Sequence, residues 1–141
     1  MTSQVLMLDL VRTFYWFDEQ LQIGLDAQGW GRMGRTQSLI LANIANGETR
    51  ASRMAEKLGI SRQAMSQFLA ELEERKLVEI VQDEADKRAR IVRFTKESES
   101  IRKDAILILS KIEAQMREVI GPEDFEAMRN GLRMFIEHQD L

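Results

Sequence analysis

Apolar side chains recur at three- and four-residue steps near the start of the chain. Met7, Leu10, Phe14, Phe17, Leu21 and Leu25 form one stripe of a predicted helix over residues 4–28. Val5, Leu8, Val11, Tyr15 and Trp16 widen that stripe beyond what one neighbour buries, so the helix is expected to pack on two, a second subunit being a natural one. Gly29, Gly31 and Gly34 mark a loop that carries Trp30. Three shorter helices follow at about 35–46, 50–58 and 62–75, with Asn46-Gly47 and Gly59 as stops. Leu39, Ile40, Leu41 and Ile44 give the first of them its core face.

The period then changes. Leu77–Val81 is β-branched and apolar, Gln82–Arg88 is polar and charged, and Ala89–Phe94 partly alternates, which reads as a β-hairpin. Its loop is too long for a two-residue turn, so the tip projects. A long helix at about 96–120 carries the stripe Ile101, Ala105, Ile108, Leu109, Ile112, Met116 and Val119. Gly121-Pro122 ends it, because proline cannot continue the hydrogen-bond ladder. Phe125, Met128, Leu132 and Phe135 line a last helix. The order is α-α-α-α-β-β-α-α, with room for a short extra strand at Thr49-Arg50. The fold class is mainly α with a small β-hairpin (α+β).

Composition narrows the chemistry. The 141 residues suit one domain, and 44% hydrophobic with 30% charged residues suits a soluble globular one. The absence of cysteine excludes disulfides, thiolate metal sites and cysteine redox sensing. His138 is the only histidine and lies near the end of the chain, so Cys/His dyads and zinc sites are not expected. With no phosphate-cradling glycine loop either, no enzyme activity and no cofactor are expected. No apolar run approaches the roughly 18 residues of a membrane span. Met1–Gln4 lacks a basic n-region, and Asp9 and Arg12 interrupt the apolar run behind it; the chain reads as cytoplasmic.

The net charge of −3 is unevenly spread. Residues 32–96 hold 13 Lys and Arg against 9 Asp and Glu, and the remainder holds 7 against 14. A basic middle between acidic ends suits a DNA-binding lobe on an acidic scaffold.

The segment Ala51–Leu72 carries the most specific pattern. Ala55 is small enough for two helices to cross closely, Gly59 tolerates the positive φ of a tight turn, and Ile60 plugs the turn. Ser61 is placed to cap the next helix. Met65, Phe68, Leu69 and Leu72 point inward on that helix. Gln63, Ser66, Gln67 and Ala70 fall on the other side, with Arg62 at its edge, and no acid occurs before Glu71. Gln bonds adenine bidentately, Arg bonds guanine and Ser serves either, so this face suits the major groove of DNA. An ordinary amphipathic helical hairpin is the alternative.

The hairpin adds cations. Lys87 and Arg88 sit at or beside its tip, and Arg90 and Arg93 lie on the returning strand. They suit the negative potential of the minor groove. Asp83 and Asp86 oppose that use, and a salt bridge from Asp86 to one of the arginines is expected to hold the tip. A solvated loop of mixed charge is the alternative reading.

Gln37…Leu41, Ser52–Ser66, Leu72-Glu73, Leu77-Val78-Glu79 and Asp86-Lys87-Arg88 followed by Phe94-Thr95 together resemble the MarR family, over about residues 33–100. The resemblance implies a winged helix-turn-helix lobe at 31–95. It implies a homodimer joined by helices from 1–30 and 96–141. It implies a recognition helix at about 62–75 and a wing at about 78–94. Arg62, Gln63, Ser66 and Gln67 match base-reading positions, and Arg88 with Lys87 matches the wing contacts. With the capping Ser61 and the strand cation Arg90, these residues form the candidate DNA-binding set. Such proteins bind palindromic duplex DNA, usually repress, and release when a small molecule binds. Three positions depart from the family pattern. Lys76 and Ser98 stand where glycine is common, and Ile80 stands where arginine is frequent.

Arg12, Tyr15, Trp16 and Trp30 are the candidate residues for an aromatic or anionic effector, although aromatics at helical spacing also serve as plain core or dimer contacts. The sequence points to a DNA-binding transcription regulator. The alternative is a winged-helix module that binds protein and not DNA.

Overall fold

The computed structural model describes residues 5–139, so Gln4, where the first helix was expected to begin, lies outside the described residues, as does the Met1–Gln4 segment read for targeting. The elements are α1 (Leu6–Ala27), α2 (Arg35–Ala45), α3 (Ala51–Leu58), α4 (Arg62–Glu74), β1 (Val78–Gln82), β2 (Arg90–Phe94), α5 (Glu99–Ile120) and α6 (Pro122–Gln139). This is the expected order, a mainly helical fold with a two-stranded antiparallel hairpin. No helix among the described residues is long and apolar enough to cross a membrane.

The chain divides into two compact units. One spans Met33–Arg102 and holds α2, α3, α4, the hairpin and the first turn of α5. Its core is built from Ile40, Met54, Met65, Leu69, Leu72, Val78 and Val92, none more than 1% exposed. These residues come from α2, α3, α4 and both strands, so each element buries one face against the others. The hairpin pairs Val78 with Phe94 through Gln82 with Arg90. A one-residue bridge between Arg50 and Ile91, with the Val92 N–H donating to Thr49 O at 2.8 Å, fastens the hairpin to the segment before α3. That bridge is the short extra strand expected at Thr49-Arg50.

Two of the departures from the family pattern have structural consequences. Lys76 adopts φ +62, the only non-glycine residue with positive φ among those described. Its carbonyl accepts a hydrogen bond from the Thr95 hydroxyl. Ser98 is buried, its hydroxyl donates to Thr95 O at 2.7 Å, and Ser98 Oγ accepts from Arg102 Nε at 2.9 Å. These local bonds hold residues 96–98 in a turn. The sequence placed the helix start near 96, whereas α5 starts at Glu99. The Arg102 guanidinium lies 4.6 Å from the centroid of the Phe94 ring.

The other unit takes the chain up to Arg32 and from Lys103 onward. Leu25, Ile112 and Phe125 are buried in it. A Cβ at Gly24 would stand 2.8 Å from Ile108 Cγ2, so the absence of a side chain there lets α1 and α5 approach closely. The guanidinium groups of Arg117 and Arg129 lie 4.6 and 5.2 Å from the centroid of the Phe125 ring. Much of the apolar stripe read from the sequence is left uncovered by its own chain. Met7 and Leu10 of α1 and Met134 and Phe135 of α6 are exposed, at 65%, 47%, 70% and 61%.

Candidate nucleic-acid interface

The turn between α3 and α4 forms as its residues demand. Gly59 sits at φ +66 and closes α3, and the Ile60 N–H donates to Ala55 O at 3.0 Å. Ser61 then caps α4, its hydroxyl oxygen accepting from the Ala64 N–H at 3.0 Å. With Met65, Leu69 and Leu72 anchored in the core, the opposite side of α4 is fixed toward solvent. Ser61, Arg62, Gln63, Gln67 and Ala70 are exposed, and Ser66 is half-buried. Phe68, expected inward, is half-buried as well. The first acid of the helix, Glu71, is held by Gln37, whose Nε2 donates to it at 2.7 Å. The exposed face before Glu71 therefore offers amides, a guanidinium and a hydroxyl, with no carboxylate.

The wing loop is shaped by its acids. Asp83 Oδ1 accepts from the Ala85 N–H at 3.0 Å, and Asp86 Oδ1 accepts from the Arg88 N–H at 3.1 Å. Both are carboxylates closing a turn on the backbone two residues on. The Asp83 N–H donates to Ala89 O at 3.0 Å and extends the ladder past β1. Lys87 and Arg88 are exposed at the tip, and the Arg88 guanidinium is 3.9 Å from Asp86, a loose pair at a nearly fully exposed side chain. The tighter ion pair was not anticipated: Arg50 Nη2 is 2.9 Å from Asp83 Oδ2. Arg93, across the sheet from Glu79, pairs with it at 2.6 Å.

Arg90 stands apart from the other wing cations. Its Nη2 donates to Ser66 Oγ at 2.7 Å, joining the base of the wing to the exposed side of α4. The structure thus brings Arg90 to Ser66, with Arg62, Gln63 and Gln67 on the same helix, and leaves Lys87 and Arg88 at the projecting loop.

Glu48, ahead of α3, gathers cations of its own. Arg53 Nε and Lys57 Nζ lie 3.0 and 3.2 Å from its Oε1. Burial alone would raise the Glu48 pKa, but hydrogen bonds from Lys57 and the Arg50 N–H and the charges of Lys57 and Arg53 outweigh it and hold the pKa below the usual range.

The match to known proteins follows this geometry. Residues 33–89 match the model of the MarR family. Over that span the winged lobe is similar to MarR-family domains. No curated protein matches the sequence. Among solved structures, the chain is similar to a MarR-family transcriptional regulator from Rhodococcus sp. RHA1, at 22% identity and TM-score 0.72, over 94% of this chain and 96% of that one. It is similar to AbsC, a MarR-family transcriptional regulator from Streptomyces coelicolor, at 21% identity and TM-score 0.69, over 99% of both. It is also similar to the transcriptional repressor CouR, bound to a 23-mer DNA duplex, at 20% identity and TM-score 0.74, over 93% and 92%. At these identities the likeness is one of fold. That likeness in fold takes in α1, α5 and α6 as well as the winged lobe.

In the helical unit, the candidate effector residues divide. Arg12 and Trp16 line an open cleft of about 470 Å³ with Thr13, Gln115, Met116, Val119 and Ile120. Tyr15 and Trp30 are not part of it. Tyr15 is half-exposed beside Phe14, with ring centroids 6.1 Å apart. The Trp30 indole N–H donates to Asp104 at 2.7 Å. Arg32, a second possible charge for an anion, is taken by Glu19 in two contacts of 2.7 Å, which raise the guanidinium pKa further.

Proposed function

We propose that this chain is a transcription regulator that binds double-stranded DNA by sequence, as a homodimer, in the cytoplasm. The observation that carries the reading is the solvent-facing side of α4. It is capped by Ser61, free of acid before Glu71, and fixed outward by three buried residues on its other side. Arg62, Gln63, Ser66 and Gln67 read base edges in the major groove, and Lys87 and Arg88 reach toward the adjacent minor groove. The DNA-bound state of the structurally similar CouR supports this use of the fold.

Self-association is supported by the apolar side chains that α1 and α6 leave exposed. A twofold dimer implies a twofold operator with half-site centres about 10 base pairs apart. Repression released by a small molecule is the mode of regulation we favour. The apolar cleft of Arg12 and Trp16 suits a small aromatic anion, with the guanidinium for the charge and the indole for the ring.

Selection from a random duplex pool tests the reading. The expected product is an inverted repeat with the spacing given above. A pool that emerges unenriched after repeated rounds would refute it.

A further inference from the structure

The bond between Arg90 and Ser66 assigns a role to each that neither has by itself. An arginine has five N–H donors and no acceptor, so in this contact the serine oxygen is the acceptor. The hydroxyl is left with its own proton and one lone pair. Among the described residues no acceptor takes that proton. A guanidinium at 2.7 Å repels a second donor approaching the same oxygen and favours the proton turned away from it. Ser66 lies on the helix one turn from Arg62 and Gln63 and next to Gln67, on the side we assign to the major groove.

We propose that Arg90 is a positioning residue for base recognition: it fixes the Ser66 hydroxyl as a hydrogen-bond donor. This rests on the DNA-binding reading above. The acceptors on the major-groove edge are purine N7, guanine O6 and thymine O4, whereas cytosine presents only a donor there. The base facing Ser66 is therefore a purine or thymine in preference to cytosine. The bond also spans 24 positions of sequence, tying the first residue of β2 to the middle of α4, so the wing sets the orientation of a base-reading group. An arginine that served only as a phosphate ligand would do none of this.

The test is duplex selection from a random pool, followed by salt titration, with wild-type protein, Ser66→Ala, Arg90→Ala, Arg90→Lys and the Ser66→Ala/Arg90→Ala double variant. The expected result is one position per half-site at which cytosine is disfavoured against the other three bases by about threefold to tenfold, the worth of one hydrogen bond. Ser66→Ala and Arg90→Ala each flatten that same position, the double variant flattens it no further, and Arg90→Lys restores part of it. The log–log salt slope of Arg90→Ala stays at the wild-type value. If Arg90→Ala instead lowers the slope by about 0.9 and leaves every base preference intact, Arg90 is a phosphate ligand and the proposal is overturned. A cytosine preference lost in Ser66→Ala overturns it as well. Both outcomes leave DNA binding standing. Enrichment of no sequence by the wild-type protein would remove the DNA-binding reading and this inference with it.

Discussion

Arg50 Nη2 lies 2.9 Å from Asp83 Oδ2, so a residue at the threshold of α3 neutralises an acid in the wing loop. Asp83 also closes the turn to Ala85. Asparagine would keep the turn and lose the charge. Asp83→Asn is expected to cost no more than about 1 kcal/mol of stability, because the arginine is nearly half-exposed. It frees Arg50 beside the wing. Affinity for duplex DNA at low salt should rise severalfold, and the salt slope should steepen by up to about 1. Urea unfolding and a salt titration check the two halves. Unchanged or weaker DNA binding would count against a DNA-facing wing.

Lys76 holds φ +62, a conformation that costs a side chain of L configuration roughly 1–2 kcal/mol. Its carbonyl bond to Thr95 needs no side chain at position 76. Lys76→Gly should therefore stabilise the protein by about 0.5–1 kcal/mol, once the extra freedom of an unfolded glycine is counted. The midpoint of denaturant unfolding measures it. A lower midpoint would mean that the lysine side chain contributes more than the backbone loses.

Glu48 sets an acid limit on the winged lobe. Its folded pKa lies below the ordinary 4.5. A depressed carboxyl pKa contributes stability that is complete above the unfolded value and is lost as pH falls through the folded one. Glu48→Gln should be less stable than wild type at pH 7, and the gap should shrink as pH falls below about 4.5. Denaturant unfolding of both proteins at pH 7 and in the acid range decides it. A gap independent of pH would contradict the ion-pair account.

Phe135 is an aromatic that α6 leaves 61% exposed. Phe135→Glu should weaken self-association by at least about tenfold, since aromatic anchors dominate such interfaces. Sedimentation over a concentration series reads the change. An unaltered association constant would move the dimer contact elsewhere.

The local elements were legible from the chain because each has a local cause. Gly59 and Ser61 dictate the turn and the cap of the helix-turn-helix, and the spacing of Met65, Leu69 and Leu72 fixes which side of α4 is buried. Gly121-Pro122 separates the last two helices for a reason equally local. What escaped was long-range pairing. Nothing near Arg50 announces Asp83, and nothing near Arg90 announces Ser66, since both contacts depend on how the hairpin lies on the helices. In a charge pattern Asp83 and Asp86 oppose DNA, and their turn-closing bonds to the backbone do not show there. α5 starts at Glu99 and not near 96 because Ser98, buried and bonded to Thr95 and Arg102, belongs to the turn before it. Of the candidate effector residues, Arg12 and Trp16 share a cleft because they stand one helical turn apart. Trp30, outside α1, is tied instead to Asp104.

The central claim is that the outward side of α4 reads bases. It is tested most directly by measuring affinity for a selected duplex and for a scrambled duplex of equal length, in wild-type, Gln63→Ala and Gln67→Ala proteins, across a range of salt. The account predicts a steep salt dependence on both duplexes. It also predicts that each glutamine variant loses roughly 1–3 kcal/mol on the selected duplex and little on the scrambled one. Equal losses on the two duplexes, or binding indifferent to salt, would contradict it.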